Sequence, residues 1–313
     1  MTDDLEFSSL MEEAEKTFAE KEVRVEPGVL YVVATPIGRL VDLSFRAVKV
    51  LEGVDLIAAE DTRRAYILLN VLGIKKKVIS NQKFNEHGKS RLFSEELQNG
   101  KSIAVISDAG TPCISDPGNE LIRAAVEKGV PVVPVPGPCA AVSALSVSGF
   151  DLSSFLFRGF FPKENTEKKK EAQLFASGAA KTFVYYESPK RILKTLEFFV
   201  QTLPGAQLCL ANDLTKMHER FYRGTPEEVL REVSENPNGE KGEFTLIAEM
   251  PETKTREKEA KKSPAAALCD CMIETGVSTR EAIEILSEKY RKNELKEAAL
   301  KLKKCFGDQA DRS

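Results

Sequence analysis

Three short segments carry most of the chemistry this chain announces. They are Thr35-Pro-Ile-Gly38, Ser107-Asp-Ala-Gly-Thr-Pro112 running on to Asp116-Pro-Gly118, and Pro134-Val-Pro-Gly-Pro138. Their small residues let a ligand come close to the backbone. Pro36, Pro112, Pro117, Pro136 and Pro138 fix φ, so such loops are stiff and largely preformed. Each follows an apolar, β-rich run, and in open α/β sheets ligands sit outside the carboxyl ends of the strands. Any one of these segments alone reads as an ordinary turn; three on one sheet edge imply a shared small-molecule crevice. The usual nucleotide and hydrolase signatures are absent: there is no Gly-x-Gly-x-x-Gly after the first strand, no P-loop and no Gly-x-Ser-x-Gly elbow. With two histidines, six scattered cysteines and no Cys-x2-Cys pair, no metal site is expected. The residues by themselves define a small-molecule-binding α/β enzyme.

The elements that position these loops follow from the apolar pattern. Strands are expected at 29–34, 54–59, 77–80, 102–107 and 131–135, with helices over 44–51, 89–99, 119–128 and from Pro138 to 147. Apolar strands alternating with helices of this length imply βαβ units and a mostly parallel sheet. The second half continues the style, with strands at 155–160, 182–186, 207–211 and 243–250 and helices near 165–177, 189–201 and 226–235. The fold class is therefore α/β: two α/β domains, the first sheet mostly parallel and the second mixed, plus a small helical C-terminal module. The expected division is an acidic leader (1–27, with a short helix over 9–20), a first domain (28–148), a second (149–250), a charged linker (251–263) and the helical module (264–306). In that module Ser263-Pro264 supplies an N-cap and a proline at the first helical position, and Ser278-x-x-Glu281 is a capping box. Three short helices there read equally as a helix-turn-helix or as a packing bundle.

Hydrophobic residues make up 42% of the 313 and charged residues 30%, ordinary for a protein with a real core. No apolar run approaches a membrane span, and the acidic N-terminus has no secretory pattern. A cytoplasmic, non-membrane protein with reduced thiols is expected. The net charge of −3 hides an asymmetry, because nine acidic and three basic residues in 1–26 leave +3 for the remainder. From Arg158 to Arg191 eight Lys/Arg face four Glu. That surplus is either a solvated face or a patch that contacts phosphates.

Longer motifs carry a resemblance. Val33-Ala-Thr-Pro-Ile-Gly38, Asp55-Leu-Ile-Ala-Ala-Glu-Asp-Thr-Arg63, Ser107–Pro112, Ile114-Ser-Asp-Pro-Gly118 and Pro134–Pro138 fall in one order. They are followed by Gly159-Phe-Phe-Pro162, Tyr185-Tyr-Glu-Ser-Pro189 with Arg191, Leu214-Thr-Lys216, Arg223-Gly-Thr225 and Lys241-Gly-Glu243. Over roughly 28–250 this series resembles the ribosomal RNA small subunit methyltransferase I family of the tetrapyrrole-methylase superfamily, and the tail is similar to that family's small helical domain. The family commonly has Gly-Asn-Leu in the first loop, a His before Asn-Glu, and Arg-Glu before Leu-Thr-Lys. Here Arg39, Phe84 and Asn212-Asp213 stand instead.

The resemblance implies S-adenosyl-L-methionine as methyl donor and the ribose 2′-hydroxyl of a decoding-centre (P-site) cytidine of 16S rRNA as acceptor. It implies 16S rRNA or the 30S subunit as partner, and a homodimer. Carried over by position, Pro36, Asp108, Ala109, Gly110, Thr111, Ser115, Cys139, Ala140, Tyr186, Leu214 and Thr245 should line the cofactor site. A ribose hydroxyl is a poor nucleophile while protonated. Asp61 or Glu187 is thus expected to accept its proton, with Lys216 as electrostatic helper. Arg63, Asn85, Glu86, Lys163, Lys168, Lys169, Lys170 and Arg191 are the expected RNA contacts. The other readings are a tetrapyrrole (precorrin or uroporphyrinogen-type) methyltransferase, whose first loop is typically of Gly-x-Gly-Pro-Gly type, and a non-catalytic RNA-binding ribosome-assembly factor.

Overall fold

Four-residue strands that are apolar at nearly every position require cover on both faces, and the first sheet has it. The computed structural model describes residues 23–81, 86–250, 263–287 and 289–306, with the backbone alone at 86–91, 305 and 306. The first sheet contains β1 (Leu30–Val33), β2 (Leu56–Ala59), β3 (Lys77–Ser80), β4 (Ile103–Ile106) and β5 (Val132–Val135). Their order is β3-β2-β4-β1-β5 and every pairing is parallel. Both β2 and β4 are buried at all four positions, as expected of strands in a parallel sheet covered by helices. The covering helices are α1 (Phe45–Gly53), α2 (Thr62–Val71), α3 (Glu86–Gln98) and α4 (Asn119–Glu127). Ala47, Val48, Leu51 and Leu69 pack with Tyr31, Val33 and Ile57 on one face. Phe93, Leu97, Leu121 and Ala125 pack with Leu30, Leu56 and Ile103 on the other.

Strand order fixes where a ligand can enter. The chain leaves β1 toward β2 on one side, and leaves the adjacent β4 toward β5 on the other. The two connections diverge, which opens a crevice above the carboxyl ends of β1 and β4. Thr35 and Gly110 bridge the two loops there, each amide donating to the other's carbonyl at 2.9 and 3.0 Å.

The second sheet has the order β6-β7-β10-β8-β9, built from β6 (Phe155–Phe160), β7 (Thr182–Glu187), β8 (Gln207–Asn212), β9 (Arg220–Gly224) and β10 (Phe244–Glu249). Only β6 and β7 run parallel; the other three pairings are antiparallel, so the sheet is mixed. One face packs on α6 (Asn165–Ala176), α7 (Ile192–Thr202) and α8 (Pro226–Glu235), around Phe161, Phe175, Phe183, Tyr185 and Phe199. The other face is covered by α5 (Ala140–Ser146), whose Ala141, Ala144 and Leu145 pack on Val184, Cys209, Ala211 and Ile247. The helix that ends the first sheet's chain segment therefore lies in the second sheet's core, and residues up to Pro251 form one unit.

Several expectations shift in detail. The helix expected to open with Pro138 begins at Ala140 with Cys139 as its N-cap, so Pro138 lies before the cap. Two elements were not anticipated. In α2 the apolar residues run together as Tyr-Ile-Leu-Leu and only Ala65 and Leu69 are buried, so the helical spacing is blurred. In β9, an edge strand beside β8, Tyr222 alone is buried. The second compact unit holds α9 (Pro264–Thr275), α10 (Thr279–Leu286) and α11 (Lys292–Phe306) around Leu268, Ala282, Leu295 and Ala298. Ser263 caps α9 with Pro264 at its first position, and the Ser278/Glu281 capping box starts α10. The helix expected over 9–20 and most of the charged linker lie outside the described residues.

Candidate active site

Two cavities flank the Thr35–Gly110 bridge. The first, of about 260 Å³, is walled by loops from both sheets. The loop after β4 contributes Asp108, Ala109, Gly110, Thr111 and Ser115, the start of α5 contributes Cys139 and Ala140, and the second sheet adds Tyr186, Leu214 and Thr245. These ten are all but one of the positions expected to line the cofactor. The exception is Pro36, which faces the neighbouring cavity of about 390 Å³ together with Thr35, Gly38, Leu40, Arg64 and Ile67. The first loop still reaches the smaller cavity through Ile37.

The loops are held in unusual backbone conformations. Among the described residues, the non-glycine positions with left-handed φ are Cys113 (70°), Ser115 (69°), Asp213 (51°) and Thr215 (63°). All four lie in the loops after β4 and β8, where strain of this kind tends to mark function. Supporting contacts hold them in place. Thr111 Oγ1 donates to the Pro138 carbonyl at 3.0 Å. Arg39 donates from Nε to the Thr215 carbonyl at 2.8 Å and from its amide to Thr215 Oγ1 at 3.2 Å. A methyl group on Gly242 would meet the Asp213 carboxylate at 2.2–2.5 Å, so only glycine fits there. Asn212 donates to the Lys241 carbonyl at 3.0 Å. Two of the departures from the family pattern, Arg39 and Asn212, thus serve as loop clamps.

The three residues expected to do the proton chemistry are engaged elsewhere. Asp61 caps α2, accepts from the Arg63 amide at 2.8 Å and pairs with its guanidinium at 2.7 Å. Those hydrogen bonds hold its carboxyl at about 2, and it lines neither cavity. Glu187 touches the cavity, yet its carboxylate is fully enclosed. It accepts from Thr195 Oγ1 and the Ser188 amide, both at 2.6 Å, and pairs with Arg191. Lys216 donates to Asp213 at 2.7 Å and Glu243 at 3.0 Å. Burial opposes its charge, but these partners outweigh it and raise its pKa. Asp61 and Glu187 are thus each paired with an arginine, and Lys216 sits between two carboxylates.

The expected RNA contacts divide as well. Lys163, Lys169 and Lys170 are exposed and Lys168 is half-buried on α6, with Lys170 bound to Glu167 at 2.7 Å. The Arg63 side chain is 87% exposed beyond its Asp61 partner. Arg191 is not available: it is held by Glu187, the Phe161 carbonyl at 3.1 Å and Ser188 Oγ at 3.2 Å. Asn85 lies outside the described residues, and Glu86 enters only as the first residue of α3.

Sequence reasoning passed over several cavity residues that sit inside the very motifs it used, Glu60, Asp116 and Phe160 among them. Glu60 and Asp116 present carboxylates to the smaller cavity, and Phe160, 56% exposed, stands at its edge. Burial, then the charge of Glu60, pushes Asp116 up to about 6 despite a hydrogen bond with Ser107. Burial, then the charge of Asp108, raises Glu60 as well, although the Asp108 amide donates to it. Phe160 meets Tyr186 edge-on at 5.9 Å, and Tyr186 Oη accepts from the Ala141 amide at 3.3 Å. The surplus of acids in a cavity with Arg64 as its cation suits a ligand carrying positive charge.

Comparison with known proteins adds an independent view. Residues 29–230 match the family described as Tetrapyrrole (Corrin/Porphyrin) Methylases. The chain is 42% identical over 272 residues to the ribosomal RNA small subunit methyltransferase I of Pasteurella multocida (strain Pm70), spanning 86% of this chain and 95% of that protein. The Haemophilus influenzae protein of the same name is 41% identical over 86% of this chain and 95% of its own. That of Escherichia coli O157:H7 is 43% identical over 71% and 78% respectively. Among solved structures, uroporphyrin-III-C-methyltransferase from Thermus thermophilus aligns with a TM-score of 0.49 at 20% identity, covering 71% of this chain and 94% of that one.

Proposed function

Because the chain belongs to the tetrapyrrole methylase family, and within it to the ribosomal RNA small subunit methyltransferase I family, we propose that it is an S-adenosyl-L-methionine-dependent methyltransferase acting on small-subunit ribosomal RNA. The acceptor is the ribose 2′-hydroxyl of a decoding-centre cytidine in 16S rRNA, and the setting is the cytoplasm. The observation that carries this reading is the 260 Å³ cavity at the divergence of the β1 and β4 connections, lined by ten of the eleven positions expected to hold the donor. Its size lies near the lower end of ligand sites, roughly 300–1,000 Å³. Its lining suits the donor: small residues for close backbone approach, aromatic Tyr186 and Phe160 for a purine, and carboxylates for a cation.

When bound, the donor supplies an electrophilic methyl carbon on a sulfonium, and the leaving group is a neutral thioether. What the protein contributes is mainly alignment of an in-line displacement. The loop after β4 and the start of α5 fix one wall, and Leu214 and Thr245 fix the opposite one. Gly110, at φ 82°, keeps the backbone open beside Ile37 and the Pro138 carbonyl. Glu187 acts as a brace that joins β7 to α7 through Thr195 and Arg191. Phe160 offers an aromatic face at the cavity edge, and Lys163 follows it by three residues at the head of the basic segment. That placement supports RNA approach along α6, with Lys163, Lys168, Lys169 and Lys170 meeting phosphates and Arg63 a further contact. The exposed apolar side chains of Tyr66, Ile67 and Val71 on α2 are suited to a second copy of the chain, which supports a homodimer; a monomeric mass in sedimentation would remove that part.

The test is incubation with methyl-labelled donor and either 30S subunits or free 16S rRNA from a strain lacking the modification, followed by nucleoside analysis. Label in 2′-O-methylcytidine is expected. Label on another nucleoside would revise the acceptor, and RNA that stays unlabelled would reject the reading.

A further inference from the structure

Six charged side chains line the smaller cavity: Glu60, Arg64, Asp108, Asp116, Glu187 and Glu243. Four of them are matched. Asp108 faces Arg64 at 3.5 Å, Glu187 is held by Arg191, and Glu243 by Lys216 at 3.0 Å. Glu60 and Asp116 form no ion pair among the described residues, and the charge of Glu60 acts on Asp116. Both are locked in place. Glu60 follows directly on β2 and accepts from the Asp108 amide. Asp116 lies beside the Ser107 hydroxyl, at the end of the loop whose Cys113 and Ser115 adopt left-handed φ. Gly118 tightens that loop, since a Cβ there would meet Cys113 Sγ at 2.7 Å.

Resting on the function proposed above, we propose that Glu60 and Asp116 form an anionic wall that makes the site selective for the cationic sulfonium donor over its neutral thioether product. The two ligands share nucleoside, amine and carboxylate and differ by one methyl group and one positive charge. Two carboxylates crowded into a half-buried cavity repel one another, and a cation placed between them relieves that repulsion. Methyl transfer moves the positive charge out of the site: the carbon–sulfur bond breaks with its electron pair going to sulfur, and the acceptor oxygen forms the new bond and releases its proton. The wall then faces a neutral thioether and loses the attraction, so the same two residues favour donor entry and product exit.

A pH dependence follows. The charged and titratable groups around the wall are Asp61 and Arg64 at the start of α2, Asp108 from the loop after β4, Cys139 ahead of α5, Tyr186 and Glu187 from β7, and Glu243 ahead of β10. Burial and the charge of Glu60 push Asp116 up to about 6, so it changes charge between pH 5 and 7.

Isothermal titration of the full-length protein with S-adenosylmethionine and with S-adenosylhomocysteine, at pH 5 and pH 7, tests this without reference to turnover. Wild type should prefer the sulfonium at pH 7 and lose much of that preference at pH 5. Glu60→Gln and Asp116→Asn should each weaken sulfonium binding roughly tenfold, with the thioether affinity changed less than about twofold. Circular dichroism and thermal melts establish that each variant is folded. Equal losses for both ligands, or an unchanged preference in both folded variants, would overturn the wall. A wild type that binds neither ligand would instead sink the function on which it rests.

Discussion

Glu187→Gln separates a brace from a base. In the native protein the Glu187 carboxylate is fully enclosed and takes hydrogen bonds from Thr195 and the Ser188 amide at 2.6 Å, besides its pair with Arg191. Glutamine preserves the shape and one acceptor oxygen but removes the charge. It also points an amide NH2 at either the Thr195 hydroxyl or the Arg191 guanidinium. Breaking a buried ion pair costs about 3–5 kcal/mol. The Arg191 side chain is 22% exposed and keeps its bond to the Phe161 carbonyl, so water and that carbonyl recover part of the loss. A destabilisation of about 2–4 kcal/mol remains, which for a unit of this size lowers Tm by roughly 5–12 °C. The assay is urea denaturation paired with turnover at a temperature where both proteins are folded. The brace predicts lower stability and turnover within about tenfold of wild type. A variant as stable as wild type whose turnover falls by a factor of about 10³ or more would refute it and restore Glu187 as the proton acceptor.

Asp61→Asn should leave turnover within a few-fold and the denaturation midpoint nearly unchanged, because asparagine is as good an N-cap as aspartate; methyl transfer at 37 °C against a denaturation curve checks both. Asp116→Asn should stabilise the protein above pH 6. The native carboxyl sits at about 6, above the 3.8 of an ordinary aspartate, so the folded state binds more protons than the unfolded one between those values, and stability declines as pH rises through that window. A gain of about 1–3 kcal/mol at pH 7 that vanishes below about pH 4 is expected in melts across pH; a pH-independent change would contradict the shift. Phe160→Ala should leave Tm within a few degrees, since the ring is 56% exposed, while weakening ligand or RNA binding about tenfold, as loss of one base-stacking ring does. Unchanged titration curves for both would take Phe160 out of the site.

The sequence by itself determined the two-sheet organisation and the sheet edge at which the two cavities open. Strands such as β2 and β4 are apolar at every position because both faces are covered, and that pattern survives in one dimension. The stiff Pro/Gly loops after β1, β4 and β5 and the capping box at Ser278 are equally local, since each depends on residues within a few positions. Elements that lean on neighbours were harder to see. Helix α2 buries only Ala65 and Leu69 and shows its other apolar residues to solvent, and β9 owes its existence to pairing with β8. The roles of individual acids were not legible at all. Glu60, Asp61, Asp116 and Glu187 are four carboxylates within the same family motifs, and nothing in their spacing distinguishes them. Asp61 takes its arginine from two residues along the chain, whereas tertiary structure enclosed Glu187 behind Arg191 and Thr195 and left Glu60 and Asp116 lining the cavity with no ion pair among the described residues. A carboxylate's charge and availability depend on burial and on partners brought from other strands and helices, so only the folded chain could separate its braces from the walls of its site.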